Sequence, residues 1–274
     1  MPETFRWQLT EDESQQVLFT ANAEMDIRKG VGAFSGLEFL HVKAKKIINE
    51  VPGGSQMPFR FTINPYRGCS HACVYCFARP THEYLNLNRA EDFDTKIVVK
   101  VNAVERLRAE LRSPKWRGEG IAMGTNTDPY QRAEGKYQLT RGIIGELSHA
   151  GNPFSILTKS TLVLRDTELL VEAAKTTDVQ VNLSIPTLDV DVWRSTEPGT
   201  PHPKQRVAAL RKLTDAGLQT GVLVAPLLPG ISDSEVQLKA VIDAVVDAGA
   251  GWVATSPLHL KSCLLYTSPS PRDS

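Results

Sequence analysis

Cysteine is scarce in this sequence. The 274 residues include four cysteines, and a chain of this length can bury a sizeable core without covalent staples. Three of the four nevertheless fall within eight positions, at Cys69, Cys73 and Cys76. The count argues against a scaffold held by disulfides, so the question is what three clustered thiols bind.

An excess of charge and long apolar runs are also missing. The 31 Lys and Arg residues balance the 31 Asp and Glu residues, so no overall field draws the chain to nucleic acid or to an anionic membrane. No apolar run reaches the roughly 18 residues of a membrane span, and the N-terminus lacks the basic-then-apolar order of a signal peptide. We therefore expect a cytoplasmic protein without a membrane partner, with reduced thiols.

The last residues do not resemble a natural protein. The stretch CLLYTSPSPRD, residues 263–273, resembles the translation of a transposon-type sequencing-library adapter. A natural disordered tail rich in Ser and Pro is the alternative. We expect residues 262–274 to be an adapter-derived tail on a chain whose natural C-terminus is truncated, and we exclude Cys263 from the functional interpretation.

From residue 59 onward, apolar runs of strand length alternate with amphipathic stretches of helix length. The predicted strands are 59–65, 120–126, 154–160, 179–186, 219–227 and 251–258. The predicted helices are 102–112, 139–151, 165–176, 203–217 and 232–249, the last with Ser232 or Asp233 as N-cap. This alternation predicts an α/β fold, best a partial (β/α)6 barrel of the TIM type, with a doubly wound sheet as the alternative.

Three parts are predicted along the chain. Residues 1–58 form an N-terminal extension, residues 59–261 the barrel core and residues 262–274 the tail. Within the extension, LEFLHVKAKKIINEV at 37–51 alternates like a strand and then turns helical. In a (β/α) barrel the chemistry lies at the carboxyl ends of the strands, so candidate site residues should follow each predicted strand.

The three cysteines follow the first predicted strand with the spacing C-x3-C-x2-C. Three thiols cannot pair off, which disfavours disulfides. Zinc usually takes four protein ligands, and His71 could complete such a site, although a tight loop would turn it away from a metal shared with its neighbours Cys69 and Cys73. A [4Fe–4S] cluster has four irons, so three thiolates leave one iron open to a chelating small molecule.

With Tyr75 directly before the third cysteine, this motif resembles the signature of the radical S-adenosylmethionine (SAM) enzymes. The chain resembles most the branch of that family around spore photoproduct lyase. The resemblance implies a partial six-stranded barrel, a [4Fe–4S] cluster on Cys69, Cys73 and Cys76, and SAM on the open iron. One electron from the cluster then cleaves SAM, and a 5′-deoxyadenosyl radical abstracts hydrogen from a substrate.

The same resemblance implies partners. A reductase, or a flavodoxin- or ferredoxin-type protein, would supply the electron. The substrate is unknown, and the branch suggests a nucleic-acid lesion or base by analogy alone. The balanced net charge argues mildly against a large DNA footprint.

Six residues are candidates for cofactor contacts by this resemblance: Tyr75, Gly124, Thr127, Asp128, Lys159 and Ser184. The segment GTNTDP after the second strand would contact the methionine end of SAM through close backbone approach and oxygen acceptors. Lys159 would pair with the SAM carboxylate, and Ser184 would lie near the ribose or carboxylate. Ordinary roles remain open, namely an Asx turn at Asp128, a solvated lysine and a buried hydroxyl.

The candidate catalytic residues are Tyr130, Tyr84 and His82. The segment RPTHEYL, which follows the cysteines, offers acid, base and radical-capable groups, although a helix cap would look the same. Spore photoproduct lyase has a cysteine as hydrogen donor in the loop after the second strand, where Thr125 stands here. A threonine hydroxyl is a poor hydrogen-atom donor, so repair of thymine dimers by that route requires a substitute such as Tyr130.

The alternative to a radical SAM enzyme is a non-catalytic binding module that carries zinc or an iron–sulfur cluster on the same three cysteines. Both interpretations use the thiols as ligands. They differ in the metal bound and in whether SAM is cleaved, so those two properties distinguish them.

Overall fold

Strands and helices alternate along the chain in this computed structural model, which describes residues 26–52 and 57–258. The strands are β1 (Asp26–Lys29), β2 (Glu38–Val42), β3 (Ile48–Glu50), β4 (Phe61–Ile63), β5 (Tyr66–Arg67), β6 (Lys96–Lys100), β7 (Ile121–Met123), β8 (Phe154–Thr158), β9 (Val179–Ser184), β10 (Gln219–Leu227) and β11 (Trp252–Pro257). The α-helices are α1 (Glu91–Thr95), α2 (Ala103–Leu111), α3 (Glu134–Tyr137), α4 (Leu139–His149), α5 (Thr167–Ala174), α6 (Val190–Thr196), α7 (Pro203–Asp215) and α8 (Glu235–Asp247). Short 3-10 helices lie at Gly32–Phe34, Arg79–Leu85 and Thr161–Asp166.

The main sheet has seven strands in the order β3-β4-β7-β8-β9-β10-β11. Every neighbouring pair from β4 to β11 is parallel, and β3 pairs with β4 in the antiparallel sense. Each parallel strand lies beside the one before it, which is the winding of a (β/α) barrel and not of a doubly wound sheet. No pairing joins β3 to β11 in the described part of the chain, so the barrel is partial. The predicted fold class is confirmed.

Side chains alternate between the two faces of this sheet. On the outer face, residues such as Ile156, Val181 and Val222 are fully buried in the core shared with the helices. Burial of each such side chain contributes about 1.5–3 kcal/mol to folding. The inner face carries polar residues instead, including Asn182 and Ser184. The core therefore lies between sheet and helices, and the inner face is left for polar chemistry.

A second sheet of four strands has the order β1-β2-β6-β5. The helical turn predicted in residues 37–51 is wrong, because the chain there forms β2 and then β3. The backbone N–H groups of Ile47 and Ile48 donate to the Glu110 carboxylate at 2.8 and 3.0 Å, and both isoleucines are buried. Contact with α2 thus overrides the local helical pattern.

The last helix begins later than predicted. Its N-cap is Ser234, whose hydroxyl accepts the Gln237 N–H, and not Ser232 or Asp233. Ser232 is buried, and its hydroxyl accepts the Leu228 N–H at 3.0 Å. Ser234 is therefore the N-cap, because the hydroxyl of Ser232 is already hydrogen-bonded within the preceding turn.

The predicted part boundaries at residues 58 and 261 stay predictions. The tail at 262–274 lies outside the described residues, as does half of the predicted N-terminal extension, at 1–25 and 53–56. Across 26–52 and 57–258, none of the helices has the length and apolar character needed to cross a membrane.

A buried ionic network lies behind the carboxyl end of the sheet. Glu134 is fully buried, and its carboxylate accepts hydrogen bonds from Tyr66 Oη at 2.5 Å and from the Thr140 N–H at 2.9 Å. Arg165 donates to Glu134 at 2.8 Å and to Asp166 at 2.7 Å. The network joins β5 to α3, α4 and the 3-10 helix before α5.

Replacement Glu134→Gln is expected to lower the free energy of unfolding by about 2–4 kcal/mol, because Arg165 loses a buried counter-charge. Urea denaturation measures this. The control is Glu172→Gln, in an exposed pair with Lys175, which should change stability by less than about 0.5 kcal/mol. Equal effects of the two variants would contradict the assignment of a buried network.

Lys100, the last residue of β6, is a buried lysine. It is 3% exposed, and its Nζ donates to the Asn64 carbonyl at 2.7 Å. Burial, aided by the positive charge of Arg67, lowers the pKa of Lys100 to about 7. The unfolded chain therefore binds more protons than the folded one between pH 7 and about 10.4, so Lys100 makes stability rise with pH across that window.

Replacement Lys100→Met should remove this pH dependence. The free energy of unfolding of the unmodified protein, minus that of the variant, is expected to increase between pH 7 and pH 10 in urea titrations. Lys175→Met, at an exposed lysine, serves as the control and should give a difference that does not change with pH. A constant difference for Lys100→Met would show that the lysine is not held neutral by burial.

Candidate active site

The three cysteines lie on the loop after β5, the short strand that follows the carboxyl end of β4, the first parallel strand. Cys69 and Cys73 are each 8% exposed, and Cys76 is partly exposed. The loop begins at Gly68, whose φ of +80° suits glycine. A side chain there would collide with the ring of His82. The local sequence thus needs this glycine to turn the chain into the cysteine loop.

The loop after β7 holds the first half of the cysteine loop. Thr127 Oγ1 donates to the Gly68 carbonyl at 2.7 Å. The buried Gln131 amide donates to the same carbonyl at 2.9 Å and accepts the Ser70 N–H at 3.0 Å. The backbone on both sides of Cys69 is therefore hydrogen-bonded by the protein itself.

The second half of the loop is held by other elements. The Arg79 guanidinium donates twice to the Cys73 carbonyl, at 3.2 and 2.9 Å, and forms an ion pair with Asp94 at 2.9 Å. The Val74 N–H donates to the Thr196 carbonyl at 3.0 Å. Because Thr196 ends α6, the cysteine loop is bonded to the crossover that follows β9.

Asp128 joins the cysteine loop to the ends of β7 and β8. Its carboxylate lies 3.3 Å from His71 Nδ1 and accepts from Thr158 Oγ1 and the Lys159 N–H at 2.7 Å each and from the Tyr130 N–H at 2.8 Å. Burial disfavours the imidazolium, but Asp128 and Cys69 together outweigh burial and raise the pKa of His71 to about 10. Burial likewise opposes the Asp128 charge, and His71 outweighs it, so the pKa of Asp128 is lowered.

These four donors give Asp128 a positioning role in the protein alone. Its predicted contact with the SAM ammonium group stays a prediction. So does that of Thr127, whose hydroxyl donates to the cysteine loop. Gly124 has a φ of +95°, and a Cβ there would lie 2.0 Å from the Leu157 carbonyl oxygen, so close strand packing alone requires a glycine.

Three residues predicted from separate segments meet on the inner face of the barrel: Tyr75, Lys159 and Ser184. Lys159 Nζ donates to Ser184 Oγ at 2.5 Å and lies 5.7 Å from the centroid of the Tyr75 ring. It is also 3.5 Å from Glu197 Oε1, the oxygen to which Tyr75 Oη donates. The ammonium group thus lies at a junction of the cysteine loop, β8, β9 and the segment after α6.

Glu197 and its partner Arg206 were not predicted from the sequence. Both side chains are fully buried, and Arg206 Nη2 lies 2.6 Å from Glu197 Oε2. One signal was available. Arg206 shares a helical stripe with Leu210 and Leu213, and an arginine on an apolar stripe needs a buried counter-charge.

The candidate catalytic residues lie in three different settings. Tyr130 is buried, and its Oη donates to Asp166 at 3.1 Å. His82 is fully buried beside the Lys96 carbonyl at 3.0 Å, and burial lowers its pKa. Tyr84 is 56% exposed. Their catalytic roles stay predictions.

A cavity of about 400 Å³ opens beside the cysteine loop. Its walls include His71, Tyr130, Arg132, Ser160 and residues 198–201. These groups come from the segments after β5, β7, β8 and β9, so the cavity lies near the carboxyl ends of the parallel strands, where (β/α) barrels bind ligands.

A family model described as the radical SAM superfamily matches residues 63–239, which include the cysteine loop and every predicted cofactor contact. The chain belongs to the radical SAM superfamily. A Mycobacterium tuberculosis protein described as uncharacterized is 51% identical over 228 residues, 83% of this chain and 67% of that protein. A Methanocaldococcus jannaschii protein, also described as uncharacterized, is 32% identical over 203 residues, 73% of this chain and 72% of that protein.

Solved structures of spore photoproduct lyase share the radical SAM fold seen here. One variant matches with a TM-score of 0.58 at 18% identity, over 83% of this chain and 64% of that chain. Another, with bound AdoMet and dinucleoside spore photoproduct, has a TM-score of 0.55 at 19% identity, over 77% of this chain and 60% of that chain. This chain therefore spans less than two thirds of these lyase chains. The likeness supports the partial barrel.

Radical SAM proteins generally bind an iron–sulfur cluster and SAM, and the donor set of this chain fits that cluster. Three free thiols on one loop are the ligands that iron–sulfur clusters take. Burial raises the pKa of Cys73 and raises that of Cys76 to about 11, so binding of iron must displace protons. In the residues that the structure describes, no three His, Cys, Asp or Glu side chains form a group that could hold a metal ion. A [4Fe–4S] cluster does not require such a group, because each of its thiolate ligands binds a separate iron.

Replacement Gln131→Met should loosen the cysteine loop, because the Gly68 carbonyl and the Ser70 N–H each lose a buried partner. We expect alkylation of Cys69 and Cys73 in the metal-free protein to accelerate about tenfold or more, as read by peptide mass spectrometry. Gln237→Met, at a surface hydrogen bond on α8, is the matched control. Unchanged alkylation of both cysteines would mean that Gln131 does not hold the loop.

Proposed function

We propose that this chain is a radical SAM enzyme that uses a [4Fe–4S] cluster on Cys69, Cys73 and Cys76 to cleave SAM and abstract hydrogen from a substrate. The observation that carries the proposal is the junction of the cysteine loop with Lys159, Ser184 and Tyr75. A loop with three thiols and no fourth cysteine in its segment leaves one iron open, and a buried cation lies against the same loop.

When bound, the cluster would supply one electron to the SAM sulfonium, giving methionine and a 5′-deoxyadenosyl radical. The residues of the chain would bind SAM and hold the cysteine loop. Lys159 provides a cation for the carboxylate of SAM, and its side chain is only 16% exposed, so water screens that attraction weakly. Thr127, Gln131 and Arg79 hold the cysteine loop in place. Because these residues fix both SAM and the cysteine loop, they would determine where along the inner face of the barrel the radical forms.

A nucleic-acid lesion or base is the proposed substrate class. A spore photoproduct lyase structure with the same fold has a dinucleoside spore photoproduct bound, which supports the class by analogy. This chain differs in the loop after β7, where the Thr125 hydroxyl accepts a hydrogen bond from Asn64 at 3.1 Å. We propose that hydrogen returns to the substrate by a route without a thiol at this position. A reductase, or a flavodoxin- or ferredoxin-type protein, is the proposed electron donor.

Anaerobic reconstitution with iron and sulfide tests the function. We expect a brown protein that absorbs at about 400 nm. With dithionite as reductant, it should release 5′-deoxyadenosine from SAM. Each of Cys69→Ala, Cys73→Ala and Cys76→Ala should lose the absorbance and the cleavage. Cys263→Ala is the matched control and should keep both.

Two results would overturn the proposal. Stoichiometric zinc without SAM cleavage would indicate a non-catalytic binding module. If the protein with all three cysteines replaced by alanine kept its full activity, the thiols would bind no metal that the activity needs.

A further inference from the structure

Glu197 and Arg206 form a fully buried ion pair beside the junction of Tyr75, Lys159 and Ser184. Arg206 is fixed before any ligand binds. Its Nε donates to the Pro201 carbonyl at 2.9 Å and its Nη1 to the Ser184 carbonyl at 3.1 Å. Its Nη2 reaches both Glu197 and the Thr200 hydroxyl. The guanidinium thus anchors the carboxylate to the end of β9 and to the segment after α6.

The second oxygen of the carboxylate faces the candidate cofactor residues. Glu197 Oε1 accepts from Tyr75 Oη and lies 3.5 Å from Lys159 Nζ. Lys159 Nζ also donates to Ser184 Oγ at 2.5 Å. One carboxylate therefore contacts Tyr75 and Lys159 directly and Ser184 through Lys159.

Among the side chains of Tyr75, Lys159, Ser184, Glu197 and Arg206, the charges do not balance. Two cations, Arg206 and Lys159, face the single carboxylate of Glu197. Arg206 is fully buried against it at 2.6 Å, whereas Lys159 is 3.5 Å away and 16% exposed. Of the two cations, Lys159 is therefore the one that an anionic ligand can reach. An anionic group placed there would be held in a poorly screened site.

We propose that Glu197, held by Arg206, is a positioning residue that fixes the Lys159 ammonium group for the carboxylate of SAM. The inference rests on the proposed function. It adds two residues outside the cysteine motif and assigns them an effect exerted through Lys159. Preorganised groups bind a ligand with less loss of conformational entropy, so loss of the carboxylate should weaken SAM binding.

Simple electrostatics makes the opposite prediction, which sharpens the test. Removal of the Glu197 charge leaves more net positive charge, and this alone would strengthen binding of a carboxylate. Weaker binding in Glu197→Gln therefore indicates lost positioning of Lys159, whereas tighter binding would overturn the proposal.

The experiment measures the dissociation constant of SAM by equilibrium dialysis on reconstituted, unreduced protein. We expect Glu197→Gln to raise the dissociation constant about tenfold, and Lys159→Met to raise it at least as much. If Glu197 acts through Lys159, adding Glu197→Gln to Lys159→Met should change the constant by less than about twofold. The same factor in both backgrounds, or no effect in either, would overturn the proposal.

The matched control is Glu134→Gln. Glu134 is also fully buried, accepts a hydrogen bond from a tyrosine and pairs with an arginine. In the described part of the chain, none of its side-chain hydrogen-bond or ion-pair partners is a candidate cofactor residue. We expect it to lower thermal stability as Glu197→Gln does while the dissociation constant of SAM stays unchanged. Equal weakening of SAM binding by both variants would show that buried charge loss alone is responsible.

A further variant keeps the test decisive if Glu197→Gln does not fold. Glu197→Gln with Arg206→Met removes both buried charges, so no unpaired ion remains, and it should still bind SAM about tenfold more weakly. Failure of the unmodified protein to bind or cleave SAM would reject the proposed function. Normal binding by the unmodified protein and by this double variant would reject the positioning role alone.

Discussion

The carboxylate of Asp128 is the contact on which the arrangement of the site depends. It bonds to His71 in the cysteine loop, to the Tyr130 N–H in the loop after β7, and to Thr158 and Lys159 at the end of β8. Three segments that are distant along the chain therefore share one buried anion. Since His71 and Asp128 each stabilise the charged form of the other, the strand ends and the thiol loop are held in register by a charge-assisted contact.

Two buried ionic networks accompany the Asp128 carboxylate, and they differ in what they contact. Glu134, Arg165 and Asp166 brace helices behind the sheet, and their contacts stay within the framework. Arg206 pairs with Glu197 beside the carboxyl end of β9, and Glu197 contacts Lys159 and Tyr75. Buried ion pairs add little net stability when compared with apolar packing. For the pair of Glu197 and Arg206, the proposed value is instead the fixed position of the Lys159 ammonium group.

The fold was largely predictable because its signal is local. The alternation of apolar strands with amphipathic helices indicated parallel strands and crossovers, and the six parallel strands follow that order. The errors have tertiary causes. Residues 47 and 48 extend instead of coiling because Glu110 captures their N–H groups. Ser232 cannot cap α8 because its hydroxyl already bonds to Leu228.

The sequence by itself determined that three thiols lie close together, since residues spaced over eight positions stay within one short segment whatever the rest of the chain does. It also indicated Lys159, Ser184 and Tyr75 as candidates, through resemblance to the radical SAM family. Only the tertiary structure decided that these three meet at Glu197, a residue 122 positions from Tyr75 along the chain. Such a contact has no local signature, because the direction of a buried side chain follows from how distant strands and helices pack.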